Sequence, residues 1–224
     1  MHGMRVWLVA AFVCAAASSA VADKHPLLAE VDAYISGIEL DRDAENWRFA
    51  TPPPPALSVP EGERALWILE TSAGVMRFEL FHDIAPNHVS NTIYLSRLGF
   101  YDGLHFHRIV GGFVAQSGSP DGSLSGGPAY RFASEISKTR RGRHRRKGIL
   151  SAAPPKGRHD YDGSQFFITL KASPSLDGDH TVYGGMLDGK KVLRALDRAG
   201  TPSGRPLKKI SILSARIEMA PVED

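Results

Sequence analysis

Short apolar or alternating runs dominate the chain from about residue 63 onward. Arg64–Glu70 and Val75–Phe81 are two such runs, joined by Thr71-Ser72-Ala73-Gly74 at hairpin spacing. Leu104–Ile109, Phe113–Gln116, Ile149–Ala152, Gln165–Leu170 and Thr181–Tyr183 predict further short strands. In Lys208–Glu218, Ile210 and Ile212 share one phase, while Leu213, Ala215 and Ile217 share the other, which predicts a bulge or twist. Two stretches have the helical period instead. Pro86–Leu98 opens on proline, stops at Gly99 and puts Val89 and Ile93 on one face. Asp188–Ala199 carries Val192, Leu193 and Leu196 and stops at Gly200. Many short strands, two helices and glycine-rich turns favour a mainly β protein closed into a barrel over a layered α/β fold. Periodicity goes no further, because it specifies no activity.

The first 62 residues have a different pattern. Arg5 precedes an apolar stretch from Val6 to Ala17, and Ala20-Val21-Ala22 is a small-x-small site before Asp23. This reads as a secretory signal peptide, too short to span a bilayer. Asp23–Leu40 has Leu27, Leu28, Val31, Tyr34, Ile35 and Ile38 at helical spacing, with Pro26 suited to a first turn. Asp41–Gly62 contains Pro52-Pro53-Pro54-Pro55 and Pro60, and reads as a stiff spacer that leaves docking of the helix optional. The expected division is therefore a signal peptide over 1–22, a helix and Pro-rich linker over 23–62, a folded domain over 63–219 and a tail over 220–224. Cleavage near Ala22 would place the mature protein in the periplasm or outside the cell.

With hydrophobic 42% and charged 23% of 224 residues, collagen-like, disordered and coiled-coil classes are excluded. The single cysteine, Cys14, lies in the signal segment, so the mature chain has neither a disulfide nor a thiol nucleophile. That composition suits an oxidising compartment. The formal net charge of +3 conceals a local excess. Lys138, Arg140, Arg141, Arg143, Arg145, Arg146 and Lys147 are seven bases with no acid among them. This run is a solvated loop or a surface for an anionic partner. No nucleic acid is expected, since export argues against it and no aromatic residue interleaves the charges.

The informative chemistry lies between Phe106 and Gly118, where Arg108, Phe113 and Gln116 fall within nine residues on two adjoining strand-like runs. An arginine among apolar neighbours is costly unless its donors are used. The block is preceded by Gly99-Phe100-Tyr101-Asp102-Gly103. It is followed by Gly126-Gly127, Gly148-Ile149-Leu150-Ser151-Ala152-Ala153, Ser164-Gln165-Phe166-Phe167-Ile168-Thr169 and Leu176-Asp177-Gly178-Asp179-His180-Thr181-Val182-Tyr183-Gly184. In this order the blocks resemble the cyclophilin-type peptidyl-prolyl isomerases from about Ala65 to Ile217.

The resemblance implies a closed eight-stranded antiparallel β-barrel with two capping helices, here with an N-terminal helical extension. It implies catalysis of rotation about Xaa-Pro bonds without cofactor or metal, in a monomer acting on proline-containing unfolded or flexible polypeptides. Arg108, Phe113 and Gln116 take catalytic roles by the same resemblance. Val114, Ala153, Gln165, Phe167, Leu176 and His180 would bind substrate, with Gln165 gripping backbone. Two positions depart from the family pattern. Ser175 stands where the best-studied members have tryptophan, which puts cyclosporin binding in doubt. Pro154 stands where asparagine is common and has no N–H to give, and the loop 155–163 is lengthened. His105-x-His107 lacks a third ligand at recognisable spacing, so no metal is assigned. The alternative to an enzyme is a non-catalytic proline-binding or chaperone module.

Overall fold

The computed structural model describes residues 25–154 and 161–222. The proposed signal segment and most of the lengthened loop lie outside the described residues. Helix α1 (Pro26–Gly37) is followed by a 3-10 turn (Trp47–Ala50) and the hairpin β1 (Glu63–Thr71) and β2 (Gly74–Leu80). Helix α2 (Pro86–Arg97) leads to β3 (Arg108–Val110), β4 (Val114–Ser117), β5 (Phe132–Ala133), β6 (Ile149–Ala152), β7 (Tyr161–Asp162) and β8 (Phe166–Thr169). A 3-10 turn (Pro174–Leu176), β9 (Val182–Asp188), α3 (Lys190–Ala199) and β10 (Ile212–Pro221) complete the chain.

Eight antiparallel strands form one sheet in the order β10-β1-β2-β9-β6-β8-β4-β3, and β5 pairs with β7 separately. The sheet is not the closed barrel expected from the sequence. Its outer strands, β3 and β10, do not pair. The segment before β3 meets β10 where Gly103 N–H, Ile212 N–H and Phe106 N–H donate to Ile212, Leu104 and Ile210 carbonyls, around an isolated His105–Ser211 bridge. Three-residue β3 starts too late to extend that contact into a strand pair.

The predicted bulge is present and does more than change the phase. Glu70 pairs with Ser214 and Thr71 with Ile212, so Leu213 is skipped. Leu213 turns to solvent while Ile212, Ala215 and Ile217 are all buried. The bulge therefore brings both phases to one face, rather than splitting them as the sequence pattern suggested.

The core is aromatic. Trp67 packs edge-on against Phe166 at 4.9 Å and Tyr101 at 5.2 Å. Val192, Leu193 and Leu196 bury the inner face of α3. Helix α2 is buried from His88 to Ser96, its polar side included. Glu135 and Asp162 enclose His88, Tyr130 and the Gly163 carbonyl hold Asn91, Trp67 donates to Ser96, and the N-terminal segment covers the rest. Leu27, Leu28 and Val31 of α1 and Trp47, Leu57 and Val59 belong to the same core cluster as the sheet. Asp32 pairs with Arg97. Tyr94 donates to the Pro52 carbonyl at 3.1 Å, Tyr34 to the Pro53 carbonyl at 2.9 Å and Ser90 to the Leu57 carbonyl at 3.2 Å. Arg48 donates to the carbonyls of Phe100 and Asp102, each at 2.7 Å. The proline run, expected to act as a spacer, is thus a strap whose carbonyls satisfy hydroxyls of α1 and α2.

The basic run is also less free than its sequence. Arg141 pairs with Glu79 and Asp83 and lies over the Phe81 ring, and Arg143 faces Asp177 at 3.7 Å.

Candidate active site

Strand register assembles the site. Arg108 on β3 lies opposite Gln116 on β4, Gln116 opposite Phe167 on β8, and Phe167 opposite Ser151 on β6. Directly opposed residues point to the same face of a sheet. One transverse row thus carries guanidinium, carboxamide and phenyl ring together. Two-residue alternation adds Val114 to that face, while Phe166 and Ile168 turn into the core. The Gly111-Gly112 turn brings Phe113 round, its N–H donating to the Val110 carbonyl at 3.0 Å. Asp197 of α3 steadies the turn by accepting from Gly112 N–H at 2.7 Å.

These residues border a cavity of about 340 Å³. Arg108 and Gln116 supply its polar edge, and Phe113, Val114, Phe167 and Leu176 its apolar wall. Ala153 and His180 close it. The His180 ring stands edge-on to Phe167 at 5.2 Å, and its Nδ1 lies 3.2 Å from the Ala152 carbonyl. Eight of the nine residues expected from the sequence therefore meet at one cavity. Leu124 and Pro154 also line it. Leu124 lies in a serine- and glycine-rich loop with no periodicity, so no sequence signal marked it.

Gln165, grouped with the substrate-binding residues, is the exception: it does not line the cavity, and the backbone it binds near the site is the protein's own. It is buried behind the cavity. Its Oε1 accepts from Gln116 Nε2 at 2.9 Å, and its Nε2 donates to the carbonyls of Gly126 at 2.9 Å and Ser123 at 3.2 Å. With these partners, the side chain braces Gln116. Gly118 permits this packing. Its φ is +89°, and a Cβ there would fall 2.2 Å from the Ser164 carbonyl oxygen.

Arg108 is half-buried, and among the described residues its guanidinium has no hydrogen-bond or ion-pair partner. Its stem lies along Gly204, where φ is +83° and a Cβ would sit 3.1 Å from Arg108 Cγ. Fixed donors are therefore held at an apolar hollow. The neighbouring His107 is neutral, since burial, with His105 and Arg108 beside it, pulls its pKa down to about 4 against the opposing pull of Asp121.

The arrangement suits an uncharged, compact apolar group joined to an amide. It offers the ring-sized hollow apolar contact and the amide hydrogen bonds from Arg108 and Gln116. Comparison with known proteins agrees. The model of the family described as cyclophilin type peptidyl-prolyl cis-trans isomerase/CLD matches residues 66–217. The Arabidopsis thaliana peptidyl-prolyl cis-trans isomerase CYP18-2 is 39% identical over 162 residues, which cover 70% of this chain and 96% of that protein. A Synechococcus elongatus peptidyl-prolyl cis-trans isomerase is 45% identical over 131 residues, covering 58% of this chain and 86% of that protein. The crystal structure of a Cryptosporidium parvum cyclophilin type peptidyl-prolyl cis-trans isomerase superposes with a TM-score of 0.63 at 32% identity, covering 70% of this chain and 99% of that one. A second structure of it, in the presence of the dipeptide Ala-Pro, gives 0.60 at 30%, covering 71% and 99%. Fold, cavity and relatives converge, and the chain belongs to the cyclophilin-type peptidyl-prolyl cis-trans isomerase family.

Proposed function

We propose that the cavity takes the pyrrolidine ring of an Xaa-Pro segment and that Arg108 drives rotation of the bond before it, in a protein that assists the folding of exported chains. The observation that carries this reading is the guanidinium of Arg108, without a partner among the described residues, at the polar edge of an apolar hollow. Rotation about a peptide bond meets a barrier of ~18–20 kcal/mol, because the nitrogen lone pair is delocalised into the carbonyl. Halfway through the turn the nitrogen is pyramidal and basic. A guanidinium N–H can then donate to it, whereas the planar ground state offers no such acceptor. Binding that strengthens only in the twisted state lowers the barrier. Phe113, Phe167 and Leu176 hold the ring, Val114, Ala153 and His180 border it, and Gln116 takes a flanking carbonyl or N–H. No covalent step or proton transfer is needed.

The export reading is supported by the signal-like pattern of residues 1–22 and the absence of cysteine after it. A protein whose refolding is limited by Xaa-Pro exchange tests the proposal. Catalytic amounts should speed its slow phase, and the exported protein should begin at Asp23 by N-terminal sequencing. No acceleration, or a mature chain that keeps residues 1–22, would overturn the corresponding half.

A further inference from the structure

The cavity has a second layer that the catalytic reading leaves unused. His144 precedes β6 and is fully buried. Its ring stacks on the Phe167 ring, with centroids 5.8 Å apart and planes 21° apart. Its Nδ1 lies 2.9 Å from Asp177 Oδ1 and its Nε2 3.1 Å from Ser151 Oγ. Main-chain bonds reinforce the tie. His144 N–H donates to Asp177 Oδ1 at 2.8 Å, and the His144 carbonyl accepts from Ser173 N–H at 2.8 Å. Asp177 directly follows Leu176, so three bonds to one residue fix both ends of the 3-10 turn that presents Leu176 to the cavity.

We propose that His144 is a positioning residue for this cavity, setting its floor by backing Phe167 and its side by tethering the Leu176 turn. The inference rests on the reading of the cavity as a prolyl-ring site. The proton arrangement is consistent with a fixed ring. An ionised Asp177 only accepts, so Nδ1 carries the hydrogen, while the Ser151 hydroxyl, 3.1 Å from Nε2, has a single hydrogen to divide between Nε2 and the Thr181 carbonyl at 2.8 Å. Burial, with His180 nearby, disfavours the imidazolium more than Asp177 favours it, which keeps His144 below the ordinary histidine range. Asp177 is held low, because the N–H and ring of His144 and the charge of Arg143 outweigh the effect of its burial. The serine-histidine-aspartate order resembles a hydrolase relay, but Ser151 and His144 are both fully buried, which denies a substrate carbonyl access to the hydroxyl.

Ring-holding walls bind the ground and transition states alike, so their loss appears in KM. His144→Ala should raise KM for an Xaa-Pro tetrapeptide about tenfold, the effect of one displaced contact, and leave kcat nearly unchanged. His144→Asn offers an amide N–H toward Asp177 and should recover the Leu176 methyl shifts in NMR spectra of the peptide-free protein. His144→Phe keeps the stack and should recover the Phe167 ring shifts but not those of Leu176. If His144→Ala does not fold, these two variants carry the test. Wild-type KM in all variants, or Leu176 and Phe167 shifts that never move, overturns the positioning role. An inactive wild-type protein would instead refute the prolyl-site reading, and the same shifts would still decide the role of His144.

Discussion

Replacing Leu28 by alanine tests whether the N-terminal segment is part of the folded unit. Leu28 is fully buried on α1, with Leu27 and Val31 beside it, and the same core cluster holds Val89, Ile93 and Tyr94 of α2. Removing a buried leucine costs the transfer of its methyl and methylene groups plus a cavity term, about 3 kcal/mol at such a site. For a chain of this size each kcal/mol lowers Tm by about 2–4 °C, so the midpoint should fall by about 6–12 °C. No residue of 26–59 lines the active cavity, so kcat/KM at 25 °C should match the wild-type value. Thermal unfolding by circular dichroism, paired with a peptide isomerisation assay, reads both quantities. An unchanged Tm would mean that α1 does not dock. Lost turnover in a folded variant would mean that the segment belongs to the catalytic unit.

Three further outcomes follow from particular contacts. Gln165→Leu removes the brace on Gln116 and leaves the Gly126 carbonyl without its partner, so kcat/KM should fall about tenfold in a folded protein; wild-type rates would show that Gln116 needs no brace. Pro154→Ala restores a main-chain N–H at the cavity wall and should lower peptide KM about fivefold, the equivalent of a net hydrogen bond of about 1 kcal/mol; an unchanged KM would mean that no substrate carbonyl reaches it. His88 lies fully enclosed between Glu135 at 2.6 Å and Asp162 at 3.0 Å, and although burial opposes its charge, the two carboxylates outweigh burial and raise its pKa. Its stabilisation is therefore complete below the ordinary histidine value of 6.5 and lost as pH rises through the raised value. Denaturant midpoints should decline as pH rises above 6.5 in the wild type but not in His88→Gln, and parallel curves would contradict the assignment.

The sequence was legible where local pattern matched local structure. Ile149–Ala152 forms the strand that its apolar run predicts, and the helix starting at Pro86 and the Thr71–Gly74 turn appear where proline and glycine mark them. The motif blocks located the cavity because strand register converts Arg108, Gln116 and Phe167 into one transverse row. What stayed hidden was nonlocal. The polar face of α2 gave no sign that Pro52 and Leu57 carbonyls would cover it. Gln165 and Gln116 are 49 residues apart, so their pairing had no signature in spacing. His144 sits in a basic run whose pattern does not mark it, yet its side chain is buried. Arg141 and Arg143 found acids on distant elements, which narrows any surface for an anionic partner to the remaining bases of that run.

The role of Arg108 is tested most directly by exchange NMR on a saturating Xaa-Pro peptide, comparing wild type with Arg108→Ala. A charge-assisted hydrogen bond made only in the twisted state contributes about 1.5–3 kcal/mol, so kcat should fall about 10- to 150-fold while peptide Kd stays near the wild-type value. Equal exchange rates in the two proteins, with the fold intact, would contradict the account.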